Sequence, residues 1–296
     1  MITALQRFEE SMRLTTQPRL EQLRQHMDLL ARTLQQEAIP AQIAGFMRQR
    51  LATLGQQLVQ QGPWERLDQL PGNYIPGLSA SAWRRPDAFP PAIAADLLAA
   101  EAYLRAQTAS LRREYLALSQ AGLLQREREC IQEAGHGRWT RFEVTAVWRR
   151  LSGGCAVDSP VACAVFHALQ QAPYNLRVIR SGYSALEADT RLKPHFGMTN
   201  GQLKFHLGLI VPRNGGRDAA QAGGRAGGAE ALVGGVGEAP SSGSTPCATF
   251  TVGGETRAWV EGEVLFFDDS FEHHVNNTCA SQRVVFQVRK NLSRFV

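Results

Sequence analysis

From Leu203 to Val211 the chain alternates strictly. Leu203, Phe205, Leu207, Leu209 and Val211 fall on one side, and Lys204, His206, Gly208 and Ile210 on the other, because successive side chains of a strand face opposite ways. Two further stretches predict strands: VLFF at 264–267, short and apolar, and RVVFQV at 283–288, with Arg283, Val285 and Gln287 sharing a face. Between them, DDSFEHHVNN reads as a polar loop carrying two histidines. Upstream, Phe142, Val144, Ala146 and Trp148 alternate, Leu176–Leu186 is strand-like, and a short helix is expected around Val161–Leu169.

Helical spacing dominates the earlier part. Leu20, Leu23, Met27 and Leu30, then Ile43, Phe46, Met47, Leu51, Leu54 and Leu58, each give one apolar stripe. They predict a helical region over residues 1–62, a hairpin joined near Ala38–Pro40 that packs on the next domain or on a protein partner. Gly62–Pro91, rich in proline and glycine, reads as an extended connector. A long helix is expected from Ile93 to about Leu118, with Leu97, Leu104, Leu111, Tyr115 and Leu118 inward, and the charged run Arg126–Glu133 prolongs the helical region. Helices followed by antiparallel strands make an α+β protein.

Composition narrows the function classes. The 296 residues carry a net charge of +5, with arginines scattered rather than striped among aromatics, so no nucleic-acid partner is expected. No apolar run has the length of a membrane span, and MITALQRFEESMR lacks the basic-then-apolar order of a signal peptide. A soluble, cytoplasmic protein is the expectation. Residues 213–247, mostly glycine, alanine and serine, have too few large apolar groups to order and predict a disordered insertion. The five cysteines include no C-x-x-C, so structural zinc is not expected.

For chemistry, Lys204 and His206 share a strand face that holds no acid, so the face is either solvated or takes up an anion. His195, a long connection, His273 and then Arg283 follow the order of iron oxygenases that consume 2-oxoglutarate. Imidazoles hold Fe(II) with positions left open, and an arginine fork grips the far carboxylate of the cosubstrate. Two histidines and an arginine alone are a weak pattern.

The wording of the motifs is more specific. LKPHFGMTN, LKFHLGLIVP, W-x-EGEVLFFDDSFEHHV and the following R-x-x-F, with GRWTRF at 137–142 and YIPGLSASAW at 74–83, resemble the aspartyl/asparaginyl β-hydroxylase family. The resemblance covers residue 74 to the C-terminus and implies a double-stranded β-helix, a cupin-like jelly roll, in a domain spanning 63–296. It implies Fe(II), with 2-oxoglutarate and O₂ as cosubstrates. His195 and His273 would be the catalytic metal ligands, and Trp139, Ser184, Lys204, His206 and Arg283 would meet the cosubstrate.

Gly197 stands where related oxygenases carry a carboxylate ligand, as it does in this family. His274 is expected to point away to the surface, and Asp268 and Asp269 to brace a turn. Cys155 and Cys163 match a cysteine pair of the family, which could bond in an oxidising compartment and would be free thiols in a cytoplasm. Two departures bear on substrate: Lys204 replaces an arginine, and Gln202 replaces an arginine near the substrate carboxylate. The implied reaction is hydroxylation at the β-carbon of Asp or Asn in a peptide, protein or small acid. The same chemistry on a lipid or acyl substrate, and a non-catalytic cupin-like binding module, stay open.

Overall fold

The alternating segment at 203–211 lies in the middle of a seven-stranded antiparallel sheet. In the computed structural model the described residues are 65–78, 81–127, 131–133, 135–145, 155–212 and 246–292, with helical positions 48, 49, 52, 53, 56 and 60. The proposed hairpin over 1–62 and the insertion over 213–247 lie almost wholly outside them, as do Ala146 and Trp148.

In chain order the elements are β1 (Trp83–Arg84), α1 (Pro91–Ala106), α2 (Thr108–Gln120), β2 (Gln125–Arg126), β3 (Trp139–Glu143), α3 (Pro160–Leu169), β4 (Val178–Leu186), β5 (Thr190–His195), β6 (Gln202–Ile210), β7 (Ala248–Val252), β8 (Glu255–Ala258), β9 (Val264–Phe267), β10 (His273–Asn277) and β11 (Arg283–Asn291). The large sheet runs β1-β9-β6-β11-β4-β3-β2 and the small one β5-β10-β7-β8. From β4 onward the chain passes back and forth between the two sheets, which is the winding of the double-stranded β-helix. The molecule is an α+β protein with that jelly roll at its centre.

Two cores follow from the alternation. Leu203, Phe205, Leu207, Tyr183, Phe286 and Val288 face the helices, burying Leu97 and Leu104 of α1, Leu111, Tyr115 and Leu118 of α2, and Val165 and Leu169 of α3. The opposite face packs Trp139, Leu186, Phe267 and Val285 against Leu192, Phe250, Val252 and Val275 of the small sheet. Among the described residues no helix is long and apolar enough to cross a membrane.

Several expectations are corrected. The helix from Ile93 is two helices that break at Gln107, where the Thr108 hydroxyl takes the Arg105 carbonyl at 2.7 Å, a local bond that competes with the helix ladder. The charged run after Gln125 does not extend α2. Gly122 adopts φ +68°, and Leu123 N–H returns to the Leu118 carbonyl at 3.0 Å, the Schellman closure that ends a helix. The segment 62–91 is more than a connector, since Trp83 and Arg84 pair with Phe267 and Phe266. Alternation in β6 also fails at its end: Val284 pairs with Ile210 but Val285 with Gly208. The extra residue is a bulge that flips the following side chains, so Ile210 joins the helix-side core and Val211 the inter-sheet core. Finally, HHVNN is not loop but strand β10, hydrogen-bonded to both β5 and β7.

The helix side holds a buried brace. Glu114 of α2 accepts Val161 N–H at 2.6 Å, Ala162 N–H at 2.9 Å and the Tyr183 hydroxyl at 2.6 Å. The N-cap of α3, Ser159, makes no side-chain cap bond and Pro160 has no N–H to offer. Glu114 therefore supplies from another helix the acceptors and negative charge that a helix start requires.

Candidate active site

The small sheet sets the geometry. His195 ends β5 and His273 begins β10, and the two are direct cross-strand partners with ring centroids 4.1 Å apart. Each ring is oriented by the same device. His195 Nδ1 lies 2.7 Å from the Lys193 carbonyl, and His273 Nδ1 lies 2.9 Å from that of Phe271. A carbonyl only accepts, so each Nδ1 carries the proton and each Nε2 keeps its lone pair, the arrangement that prepares imidazoles as metal ligands. Burial lowers the pKa of both histidines, that of His273 to about 3, with the neighbouring imidazole and Lys204 adding to it. Both are neutral at pH 7 and fit a divalent transition ion such as Fe(II).

His274 faces the other way and is half-buried, its pKa lowered by burial. The two aspartates part company. Asp268 braces the turn, its Oδ1 accepting Ser270 N–H at 3.0 Å and the Ser270 hydroxyl at 2.5 Å. Asp269 does not brace a turn. It is buried, pairs with Lys204 at 2.7 Å and Arg289 at 3.5 Å, and its Oδ1 has no hydrogen-bond partner among the described residues. Burial alone would raise the pKa of Asp269, but Lys204 and Arg289 together hold it below the ordinary value.

Gly197 explains how Asp269 reaches this place. A Cβ at Gly197 would fall 2.5 Å from Asp269 Cγ and 2.7 Å from its carbonyl oxygen, and Gly197 N–H donates to that carbonyl at 2.6 Å. Only glycine lets the β9–β10 turn approach so closely. The room that a side chain at 197 would take is thus filled by Asp269, from a different strand connection.

The large sheet contributes the cations. Arg283 is 2% exposed. Its Nη1 donates to the Ser184 carbonyl at 3.3 Å and its Cζ lies 4.4 Å over the Trp259 ring, yet its Nε has no hydrogen-bond partner among the described residues. Burial pushes its pKa down to about 9, so it stays charged at pH 7. A buried guanidinium without an acid suits an anionic ligand. Trp139 Nε1–H donates to Ser184 Oγ at 3.0 Å, which links Trp139, Ser184 and Arg283 in one group.

His206 lies near the face of Trp259 at 6.3 Å and of Phe250 at 5.7 Å. Its Nδ1 has no hydrogen-bond partner among the described residues, and burial, then Arg283, hold its pKa well below the ordinary value. Lys204 is turned to Asp269, not left on an acid-free face, and burial lowers its pKa despite that partner. The structure thus brings together every expected site residue. Those not assigned in advance are Trp259, Phe250, Asp269, Arg289 and Arg141, which pairs with Glu127 at 2.8 Å. Trp259 opens the W-x-EGEVLFF motif, so its signal was in the sequence; Arg289 shows only as a continuation of the Arg283–Gln287 alternation.

A family model described as aspartyl/asparaginyl beta-hydroxylase matches residues 105–231 and 237–290. The aspartyl/asparaginyl beta-hydroxylase of Mus musculus is 30% identical over 167 residues, 56% of this chain and 18% of that protein. Aspartate beta-hydroxylase domain-containing protein 2 of Xenopus tropicalis is 30% identical over 108 residues, 36% of this chain and 20% of that protein. The chain thus spans about a fifth of the length of these relatives. Among solved structures, a 2OG-Fe(II) oxygenase family oxidoreductase from Burkholderia pseudomallei matches at TM-score 0.36 and 12% identity, covering 60% of this chain and 78% of that one. A prolyl hydroxylase from Trichoplax adhaerens, solved with a hypoxia inducible factor peptide fragment, matches at TM-score 0.37 and 10% identity over 64% and 80%.

Proposed function

The chain belongs to the aspartyl/asparaginyl β-hydroxylase family, and from that membership and the geometry above we propose that it is an Fe(II)- and 2-oxoglutarate-dependent hydroxylase. Its substrate on this reading is an aspartyl or asparaginyl side chain, or a related group, in a peptide, protein or small acid. Gln202, neutral and half-exposed at the start of β6, offers hydrogen bonds but no charge to that substrate.

The observation that carries the reading is Arg283, a fully buried cation with no carboxylate partner among the described residues, on the same inter-sheet side as the paired imidazoles. His195 and His273 would hold the iron by their free Nε2 atoms, and Arg283 the distal carboxylate of 2-oxoglutarate. Iron with 2-oxoglutarate and O₂ supplies the oxidising power for hydroxylating an unactivated carbon. The rest falls to the protein. Trp139 and Arg283 both bond to Ser184, so the cation is fixed before the ligand arrives. His206 stays neutral beside it and keeps a hydrogen-bonding atom available. Phe250, Trp259 and Phe267 line the space between the sheets with apolar surface, and a low-dielectric lining strengthens charge interactions there. Lys204 and Asp269 neutralise one another next to the histidines.

Arg283→Ala tests the reading. Truncating one member of a buried, charge-assisted pair costs about 2–5 kcal/mol, so the 2-oxoglutarate concentration for half-maximal succinate formation should rise by roughly thirtyfold or more. Anaerobic Fe(II) affinity without cosubstrate should hold, since Arg283 touches neither imidazole. Unchanged 2-oxoglutarate dependence in the variant would sink the assignment.

A further inference from the structure

On the opposite face of the large sheet from the paired histidines lies a second group of ligating side chains. Cys155 and Cys163 are joined as a disulfide and are buried in the helix-side core. His167 stands beside them, its Nε2 4.0 Å from Cys155 Sγ. The two sulfurs and a ring nitrogen lie within 4.8 Å of one another, an arrangement found in no other set of cysteine, histidine and acidic side chains among the described residues. The backbone holds this triangle. Cys163 and His167 sit four residues apart in α3, hence one above the other on a single helix face. Cys155 is tied to the start of that helix, because its carbonyl accepts both the N–H and the hydroxyl of Ser159, at 3.1 and 3.0 Å. Cys163 N–H in turn donates to the Ser159 carbonyl at 2.9 Å. His167 is exposed, which gives an ion a way in.

We propose that on reduction of the Cys155–Cys163 bond these two sulfurs and His167 become a binding site for a thiophilic metal ion such as zinc, with one position left open. The step balances simply. A dithiol reductant gives two electrons and two protons to the disulfide, is itself oxidised to a disulfide, and leaves two thiols. Both thiol protons pass to solvent when the sulfurs bind the ion. Zinc bonds of about 2.3 Å to sulfur and about 2.0 Å to nitrogen set tetrahedral edges of roughly 3.8 and 3.5 Å. Reaching that geometry takes opening of the bonded sulfurs and an approach of His167 Nε2, now 4.0 Å from Cys155 Sγ and within 4.8 Å of both sulfurs, by about half to one ångström, the scale of side-chain rotamer adjustments. Cys163 and His167 have the four-residue helical spacing familiar from zinc-binding helices. In a reducing compartment the pair would stand as thiols. The inference is independent of the hydroxylase reading.

The test uses Co²⁺ on the full chain, reduced anaerobically with a dithiol and then freed of it by gel filtration. Reduced protein should take up one equivalent more than oxidised protein, with a near-ultraviolet sulfur-to-cobalt absorption that the oxidised protein lacks. His195 and His273 offer only nitrogen and cannot produce that band. Cys163→Ser should abolish it, and Cys247→Ser, in the other disulfide, should leave it intact. His167→Ala keeps both thiols and lies on the surface, so folding is not at issue. It should weaken Co²⁺ binding by more than about tenfold, the least that even a supporting group costs a metal site. Absence of the band in reduced protein, or unchanged affinity in His167→Ala, would overturn the proposal.

Discussion

At the scale of single residues, two buried groups respond to pH in opposite senses. Burial raises the pKa of Asp268 to about 6, although Ser270 and Arg84 resist the shift. A carboxyl whose folded pKa exceeds its unfolded one favours the fold most below pH ~4, and that contribution is lost as pH rises through ~6. His273 runs the other way. Its folded pKa is depressed to about 3, so its contribution is complete above pH ~6.5 and is lost as pH falls toward ~3. Between ~4 and ~6 the two slopes offset one another. Asp268→Asn keeps the acceptor used by Ser270 and removes the titration together with the ion pair to Arg84; whatever the pH-independent cost of that pair, the variant should lose stability more steeply than the parent on acidification. Urea midpoints at pH 7, 6, 5 and 4 read this, and parallel profiles would refute it. That His195, His273 and Arg283 would come together was legible in the sequence because their motifs are contiguous or rigidly spaced. Asp269 was not, because its place depends on the missing Cβ of Gly197 and on Lys204 from another strand, facts of three dimensions that no local pattern carries.

At the scale of elements, the long strands β3, β4, β6 and β11 of the large sheet were readable in the sequence, since each has one face on the helices and one on the site, whereas the two-residue edge strands β1 and β2 are too short to carry a period. What escaped were the places where a local hydrogen bond or an inserted residue overrides the period: the Thr108 break, the Gly122 stop and the bulge at the end of β6. Strand β10 was hidden for another reason. Its polar sequence, HHVNN, is paired on both edges and its buried Asn277 donates to the carbonyls of Leu186, Glu187 and Ser281 at 3.0, 2.7 and 3.0 Å, so backbone pairing and a polar anchor stand in for apolar side chains. The start of α3 shows a like substitution, with Glu114 in place of a local cap. Glu114→Gln would leave one of its three donors facing an amide N–H₂. With hydrogen bonds to a buried charge contributing ~1.5–3 kcal/mol each, the variant should unfold with about 2 kcal/mol less stability and the same urea slope. Tyr183→Phe, which loses one bond without stranding a helix N–H, should cost less. A Glu114→Gln variant as stable as the parent would show that solvent or another group caps α3.

At the scale of the whole molecule, the space between the sheets holds more positive than negative charge. Arg141, Lys204, Arg283 and Arg289 project from one face of the large sheet, against Asp269 and Glu127. A fold that keeps a cation such as Arg283 buried without an acid gives up stability that an anion can restore. Ligand binding stabilises the native state by RT ln(1 + [L]/Kd), about 2.7 kcal/mol at a hundredfold excess over Kd, and a domain of this size gains roughly 2–4 °C per kcal/mol. Saturating 2-oxoglutarate with a redox-stable divalent ion should therefore raise Tm by about 5–10 °C, by an increment beyond that of the ion alone. Arg283→Met should lose the 2-oxoglutarate increment and keep that of the ion. Its ligand-free Tm should be no lower than the parent's, because an apolar side chain of similar length replaces an uncompensated charge beside Trp259. A variant that kept the full 2-oxoglutarate shift would place the anion elsewhere in the molecule. One whose ligand-free Tm collapsed would show instead that the bond to the Ser184 carbonyl and the contact with Trp259 hold the two sheets together, and that the cation is there for the fold before it is there for the ligand.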